Sequence, residues 1–424
     1  MRQAFAVIVG KVILFLTRLR GGGSAFPGLV ALKLQPALLK KAFSRLPQGV
    51  VFVLGSNGKS TTTHMVSEIL RSHGLRVFTN PTGANLPQGV ASSLLVSVGL
   101  SGVVKADVAV LEVDEAFAVE LAGLLDPRVV LGLNTQVDQL YRFFETGRVG
   151  HMMLDAMALA SHSAVSNADD PYLRTIDRVT ESSSVRPEIF YFGVSQAVID
   201  NSPNGLLNAE NFEQLSDELV RPRFVEVVAY ENSMTTLQTD AGAFEIKLPA
   251  PGLHYAIDAA AAVATARQIL GSSWNSETTI SAFERMKPAY GRGEVLPFES
   301  SSVRFVMFKN LASMQLNLNS LESNSGPVLL AIDEGTPDMS WIYDIDFRSL
   351  TRVEIVTGDK AWQMAACLAV KGVEIGLVEP NVELAVEHMR KIADSSTQQT
   401  WIVNYEVTMI ARRLIGFGNL ETES

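Results

Sequence analysis

Apolar runs set off by glycines and polar turns recur along this chain. The stretch "GVVFVLG" (49–55) is continuous in apolar residues, the pattern of a parallel strand covered on both faces. After a short polar loop, Met65, Val66, Ile69 and Leu70 recur at helical spacing until Gly74. The order is strand, loop, helix. It repeats through "LRVFTN", "ADVAVLEVDEA", "PRVVLGLN" and "HSAVSNADDP", which predicts βαβ units on a doubly wound sheet.

The pattern changes between about residues 200 and 250. "NSPNGLLNAENFEQLSDELV" reads as loop, and "RFVEVVAYENSMTTLQTDAGAFEIKLP" as antiparallel strands with turns. "YAIDAAAAVATARQILG" (255–271) is an alanine-rich helix closed by Gly271. After "KPAYGRGEVLPFES" the strand pattern restarts with "SVRFVMF", "PVLLAID", "RVEIVTG", "VEIGLV" and "TWIVNY". The expected organisation is α/β: an N-terminal helical segment (1–46), a central domain on a parallel sheet (47–296) and a C-terminal Rossmann-like α/β domain (297–424). Near the N-terminus, "GGGSAFPG" (21–28) separates a first helix from a second, "ALKLQPALLKKAFSRL" (31–46).

Composition narrows the function classes. With 35 Lys and Arg against 45 Asp and Glu, the net charge of −10 argues against a protein that tracks nucleic-acid phosphates. The single cysteine, Cys367, excludes an internal disulfide framework, and its apolar helical context reads as a core thiol. The run from Ala4 to Thr17 is shorter than a spanning helix, is interrupted by Gly10 and Lys11, and precedes no small-residue cleavage site. It is expected to be a packed or membrane-adjacent amphipathic helix in a cytoplasmic protein.

The loop after the first strand carries the chemistry. Val53 occupies the first glycine of the full phosphate-loop pattern, leaving the tighter Gly55-Ser56-Asn57-Gly58-Lys59-Ser60-Thr61. Backbone N–H groups at a helix N-terminus cradle phosphate, Lys59 can reach the outer phosphates and the Ser60 hydroxyl can hold Mg²⁺. The alternative is a plain glycine-rich turn. A neighbouring strand end offers Glu112, Asp114 and Glu115, and a carboxylate inside an apolar strand suggests a metal ligand rather than a solvated edge. Asp138, Asp169 and Asp170 follow further strands, the last two in a sequence that also makes an ordinary turn.

The loop, the strand-end Glu112, "NADDP" and "GRGE" together resemble the Mur ligase family, and within it the MurT-type subunits. "RGGGSAFPGLVALKLQP", "GANL" (83–86), "LEVDEA", "KNLASMQ" and "DMSWIYDIDF" (338–347) carry the closer likeness, which runs through nearly the whole chain. The resemblance implies a Mur-ligase-like central P-loop domain and a partner-binding C-terminal domain. It also implies ATP bound by Gly55, Asn57, Gly58, Lys59, Ser60 and Thr61, with Ser60 and Glu112 as Mg²⁺ ligands and Asn85 near the terminal phosphate. Asp258 stands where the family has a base-reading asparagine, and Arg292 would contact nucleotide unless it pairs locally. The catalytic set implied is Lys59, Glu112 and Asp338. Asp338 would orient the histidine of a GatD-like glutamine amidotransferase, or cap a turn, with Asp344 and Asp346 as rivals. "VDQLYRFFE" keeps Asp138, Gln139, Arg142 and Glu145 of the family's stretch but has Tyr141 for an acid. The cysteines of the MurT zinc ribbon are missing, so no zinc is expected.

The implied activity belongs to peptidoglycan synthesis: amidation of the D-glutamate α-carboxyl of lipid II to D-isoglutamine through an acyl phosphate, with ammonia from the amidotransferase partner. That substrate brings contact with the inner face of the membrane into question. Two other readings are an amino-acid-adding Mur or folylpolyglutamate-type ligase, and a nucleotide-binding scaffold subunit with little turnover. Trp341, Tyr343 and Phe347 alternate with acids, as in an aromatic interface or a core strand.

Overall fold

The computed structural model describes residues 2–19, 25–80, 84–136, 146–181, 186–202, 205–208, 221–288, 291–321, 326–333, 339–393 and 397–418. Asp138, Gln139, Tyr141, Arg142, Glu145 and Asp338 lie outside the described residues. Along the chain the described helices are α1 (Arg2–Leu19), α2 (Phe26–Leu34), α3 (Leu38–Phe43), α4 (Lys59–Ser72), α5 (Pro87–Ser97), α6 (Glu115–Leu125), α7 (Thr146–Met157), α8 (Ile176–Glu181), α9 (Gln196–Asp200), α10 (Leu253–Leu270), α11 (Ser276–Arg285), α12 (Leu311–Asn319), α13 (Ala361–Val370), α14 (Val382–Lys391) and α15 (Tyr405–Leu414). They fall into two compact units, one within 1–136, 143–248 and 256–286, the other within 249–255 and 287–424.

The first unit is built on β1 (Val50–Leu54), β2 (Val77–Thr79), β3 (Val108–Glu112), β4 (Val129–Gly132), β5 (Ser163–Asn167), β6 (Glu188–Val194), β7 (Arg223–Glu231), β8 (Met234–Thr239) and β9 (Gly242–Lys247). Their order is β2-β3-β1-β4-β5-β6-β7-β8-β9. Strands β2 to β7 are joined in parallel, and β7, β8 and β9 continue as an antiparallel meander. Every residue of β1, β3, β4 and β5 is buried, which is why β1, β4 and all of β3 before Glu112 read as continuous apolar runs instead of alternating ones, whereas β5 (SAVSN) buries two serines and an asparagine. The chain leaves β1 toward β3 on one side and reaches β4 on the other, so the carboxyl end of β1 is a topological switch point. The register sets Glu112 beside Val53 and Gly132 beside Leu54 at that end.

The helix expected over 31–46 is two helices. Pro36 has no N–H to continue α2 and forces Gln35 out of helical geometry, to φ −140° and ψ 87°. Gly28 in "FPG" lets α2 lie directly on α5: its N–H donates to Ser92 Oγ at 2.8 Å, and an added Cβ would run into the Gln88 carbonyl. Strand β6 was not anticipated from the sequence.

The second unit carries β10 (Arg292–Phe298), β11 (Ser301–Phe308), β12 (Val328–Ala331), β13 (Arg352–Thr357), β14 (Glu374–Val378) and β15 (Gln399–Asn404), in the order β10-β11-β15-β12-β13-β14. All pairings are parallel except β10 with β11. "GRGEVLPF", read from the sequence as connector, is therefore an edge strand. Its inward residues Leu296 and Phe298 are buried, and Phe298 and Phe305 meet the Trp401 ring edge-on at 5.1 and 5.4 Å. "SWIYD" is a 3₁₀ turn (Ser340–Asp344) instead of a strand. Ile342 and Phe347 turn into the core, Trp341 packs against Phe308 and Tyr343 faces solvent.

Glu294 of β10 holds a buried cation. Arg412, on α15, is 1% exposed and pairs through Nη1 with Glu294 Oε2, which also accepts the Gly291 N–H at 3.2 Å. Removing one partner of such a pair strands the other charge in a low dielectric. Glu294→Ala should therefore destabilise the second unit by about 3–5 kcal/mol in urea unfolding of the full chain, and Glu294→Gln by less.

Candidate nucleotide site

The loop between β1 and α4 depends on glycine at one position above all. Gly58 is the N-cap of α4 and adopts φ 83°, the left-handed region. A Cβ there would also collide with the carboxylate of Asp258, which is buried on α10 against the loop. No side chain caps α4, so its first turn presents backbone N–H groups at the loop.

The chain segment after β4 clamps the loop from the side. The Asn57 N–H donates to Asn134 Oδ1 at 3.0 Å, and Asn134 Nδ2 donates back to the Asn57 carbonyl at 3.1 Å. The Ser56 N–H donates to the Asn134 carbonyl at 3.0 Å, and Asn57 Nδ2 to Gln136 Oε1 at 2.6 Å. These contacts fix the backbone without using any α4 side chain.

Two buried pairs define the charged part of the site. Ser60 Oγ donates to Glu112 Oε2 at 2.6 Å. Lys59 Nζ donates to Glu115 Oε1 at 2.6 Å and to the Gly55 carbonyl, and the Gly55 N–H donates to the same Glu115 oxygen at 3.3 Å. The Glu112 backbone is held on both sides by Asn80, which accepts its N–H at 3.0 Å and donates to its carbonyl at 2.9 Å. Asp114 caps α6 through the Ala116 N–H and donates its own N–H to the Asn85 carbonyl at 3.0 Å. Glu112, Asp114, Glu115 and Asp258 are all buried beside one buried lysine.

The donor chemistry fits Mg²⁺. A serine hydroxyl and one carboxylate are hard oxygen ligands, and Mg²⁺ typically takes one or two carboxylates, completing its shell with waters and substrate phosphates. Among the described residues no group of three or more His, Cys, Asp or Glu is placed to hold a metal, and Ser60 with Glu112 would supply two of the oxygen ligands such an ion needs.

The structure brings Lys59, Ser60, Thr61, Glu112 and Asp258 together with the glycines of the loop, and the Asn85 carbonyl accepts the N–H of Asp114, two residues beyond Glu112. Asp169 and Asp170 serve the fold. Asp170 accepts from Thr135 N and Oγ1 and from the N–H groups of Tyr172 and Leu173, whereas Asp169 pairs with Arg223 at 2.5 Å. Arg292 heads β10 in the second unit, where its Nη1 is buried without an acceptor and its carbonyl accepts the Tyr255 hydroxyl at 2.8 Å. Asp346 is engaged by Arg348, which holds its carboxyl below the usual range, and Asp344 is exposed. Sequence reasoning named Glu115 without its lysine partner, and missed Asn80, Asn134 and Gln136. The one signal for the last two was polar "NTQ" directly after an apolar strand.

The profile described as Mur ligase middle domain matches residues 53–266, half of the chain. The chain belongs to the Mur ligase family. A second profile, MurT ligase C-terminal, matches residues 307–408 of this Mur ligase, in the second unit. It is 26% identical over 389 residues to the lipid II isoglutaminyl synthase (glutamine-hydrolyzing) subunit MurT of Streptococcus pneumoniae, covering 84% of this chain and 83% of the relative. With the same subunit of Staphylococcus aureus it shares 23% over 408 residues, 89% and 90% of the two chains. In fold it is similar to MurF of Acinetobacter baumannii (TM-score 0.66, 18% identity, 91% and 79% covered) and to MurF of Thermotoga maritima in complex with ADP (TM-score 0.63, 17% identity, 92% and 83% covered).

Two predictions follow from this geometry. Gly58→Ala combines a left-handed alanine, about 1–2 kcal/mol of strain, with the Asp258 clash. It should weaken MgATP binding at least about tenfold in calorimetric titration while leaving the helical circular dichroism intact. His254, in the second unit, is held neutral by burial and by the Arg292 charge, which push its pKa down from 6.5 to about 4. The unfolded chain takes up that proton below pH 6.5 and the native chain only near pH 4, so stability should fall as pH drops through that window. His254→Gln should remove this part of the pH dependence of Tm.

Proposed function

We propose that this chain is the ATP-dependent ligase subunit that amidates the D-glutamate α-carboxyl of the lipid II stem peptide, giving D-isoglutamine. The observation that carries the reading is the pair of buried contacts, Ser60 to Glu112 and Lys59 to Glu115, at the switch point of a chain similar to MurT subunits along both units. The proposed division is a helical segment (1–46), an ATP-binding domain (47–296) and a partner-binding domain (297–424).

A carboxylate does not condense with ammonia at neutral pH because oxide would have to leave. Transfer of the ATP γ-phosphoryl group to a carboxylate oxygen gives an acyl phosphate and ADP. Ammonia then adds to the carbonyl carbon, phosphate departs with the former carboxylate oxygen, and the nitrogen loses a proton. The loop N–H groups bind the phosphates, and Lys59 neutralises charge on the outer phosphate oxygens. Glu115 orients that lysine over the loop. Ser60 and Glu112 would hold a Mg²⁺ ion, which would supply further neutralisation of the phosphate charge.

Ammonia comes from a second subunit in this reading. Cys367, the one cysteine, is buried under the Ser340–Asp344 turn, its thiol 3.4 Å from the Ile342 carbonyl, and burial pushes its pKa up, the opposite of an activated nucleophile. A GatD-like glutaminase supplies the missing thiol, and Asp338 is assigned the partner-facing role on resemblance alone.

ADP release measured with lipid II and ammonium chloride tests the reading. Turnover should depend on both, proceed without a glutaminase, and fall at least about a hundredfold in Lys59→Ala. Turnover driven by an amino acid in place of ammonium would make the chain an amino-acid-adding ligase instead.

A further inference from the structure

Helix α1 has two apolar faces. Ala6, Val7 and Gly10 are buried against the helices beside it, α2 and α5. Phe5, Ile8, Val12, Phe15, Leu16 and Leu19 are exposed, Phe5 by 59%, Phe15 by 64% and Leu19 by 70%. At about 100° per residue these six fall on one stripe, diametrically opposite the buried face. Lys11 and Arg18 flank the stripe on one side and Arg2 on the other, and α1 carries no acid. The helix is thus anchored to the protein by one face while presenting a basic-edged apolar face outward.

The charge distribution identifies the occupant. The first acidic residue in the sequence is Glu68, so every charge before it is basic, in a chain whose net charge is −10. Exposed Lys33, Lys40 and Lys41 on α2 and α3 extend this basic surface, and Phe26 and Leu29 on α2 are exposed as well. No described helix is long and apolar enough to cross a membrane. An apolar stripe with cationic edges is the complement of an anionic bilayer surface, in which such a helix lies parallel to the plane with its apolar side chains about 5–10 Å deep.

We infer that the outward face of α1 docks this protein on an anionic lipid surface. Bilayer binding is independent of the amidation reading, although a lipid-linked substrate would bring both to one place. It is tested by flotation of the full chain with vesicles of phosphatidylcholine, alone or mixed with phosphatidylglycerol. The chain should float with the mixed vesicles, and salt should release it. Phe5→Ser with Phe15→Ser should weaken binding at least about tenfold, and Lys11→Gln with Arg18→Gln about fivefold per charge removed. Because Phe5, Phe15 and Arg18 are exposed and Lys11 is partly exposed, unchanged thermal melts and MgATP binding should accompany both variants. Absence of flotation on either vesicle, or equal flotation on both, would overturn the inference. So would a concentration-dependent dimer, or binding to a glutaminase subunit, that the phenylalanine variant abolishes, since the stripe would then be a protein interface. Flotation without ammonium-dependent turnover would leave this inference standing and defeat the amidation reading.

Discussion

A lysine buried at the first position of α4, just past an apolar parallel strand, dictates what surrounds it. Lys59 cannot remain charged there without an anion, and the carboxyl edges of the sheet supply one in Glu115, 2.6 Å away. The same edge places Glu112 on Ser60, one residue further along α4. The Glu112 backbone is fixed by Asn80, and Glu115 is the first residue of α6, which Asp114 caps through the Ala116 N–H. The consequence is a cluster of buried oxygen and nitrogen groups gathered at the start of α4.

The remaining architecture serves this corner. Strands buried on both faces carry it, the Asn134 and Gln136 clamp ties the loop to the segment after β4, and Gly58 lets α10 bring Asp258 against it. The second unit is stabilised by its own aromatic core around Trp401 and by the Arg412 to Glu294 pair. Its glycine-flanked glutamate thus has a structural task that the motif "GRGE" alone does not reveal.

The strands were legible because burial on both faces leaves an uninterrupted apolar run, and the loop because few backbones follow such a run with Gly-Ser-Asn-Gly-Lys-Ser. Strand β10 was not, since its short sequence contains Pro297 and opens with two charges and a glycine, Arg292-Gly293-Glu294. The 3₁₀ turn at Ser340–Asp344 defeated a period-two reading because its acids and aromatics alternate in sequence but not in space. Pairings such as Lys59 with Glu115, and Asn57 with Asn134, join residues 56 and 77 positions apart, and no local period encodes them. Asp138, Tyr141 and Asp338 stand as readings of the sequence.

The central claim is that the phosphate held by this loop passes to a carboxylate oxygen. It is tested most directly by following oxygen: lipid II labelled with ¹⁸O in the D-glutamate α-carboxyl is turned over with ATP and ammonium, and the released phosphate is analysed by mass spectrometry. An acyl phosphate route delivers one labelled oxygen to inorganic phosphate for each amide formed. Unlabelled phosphate alongside amide product would contradict it.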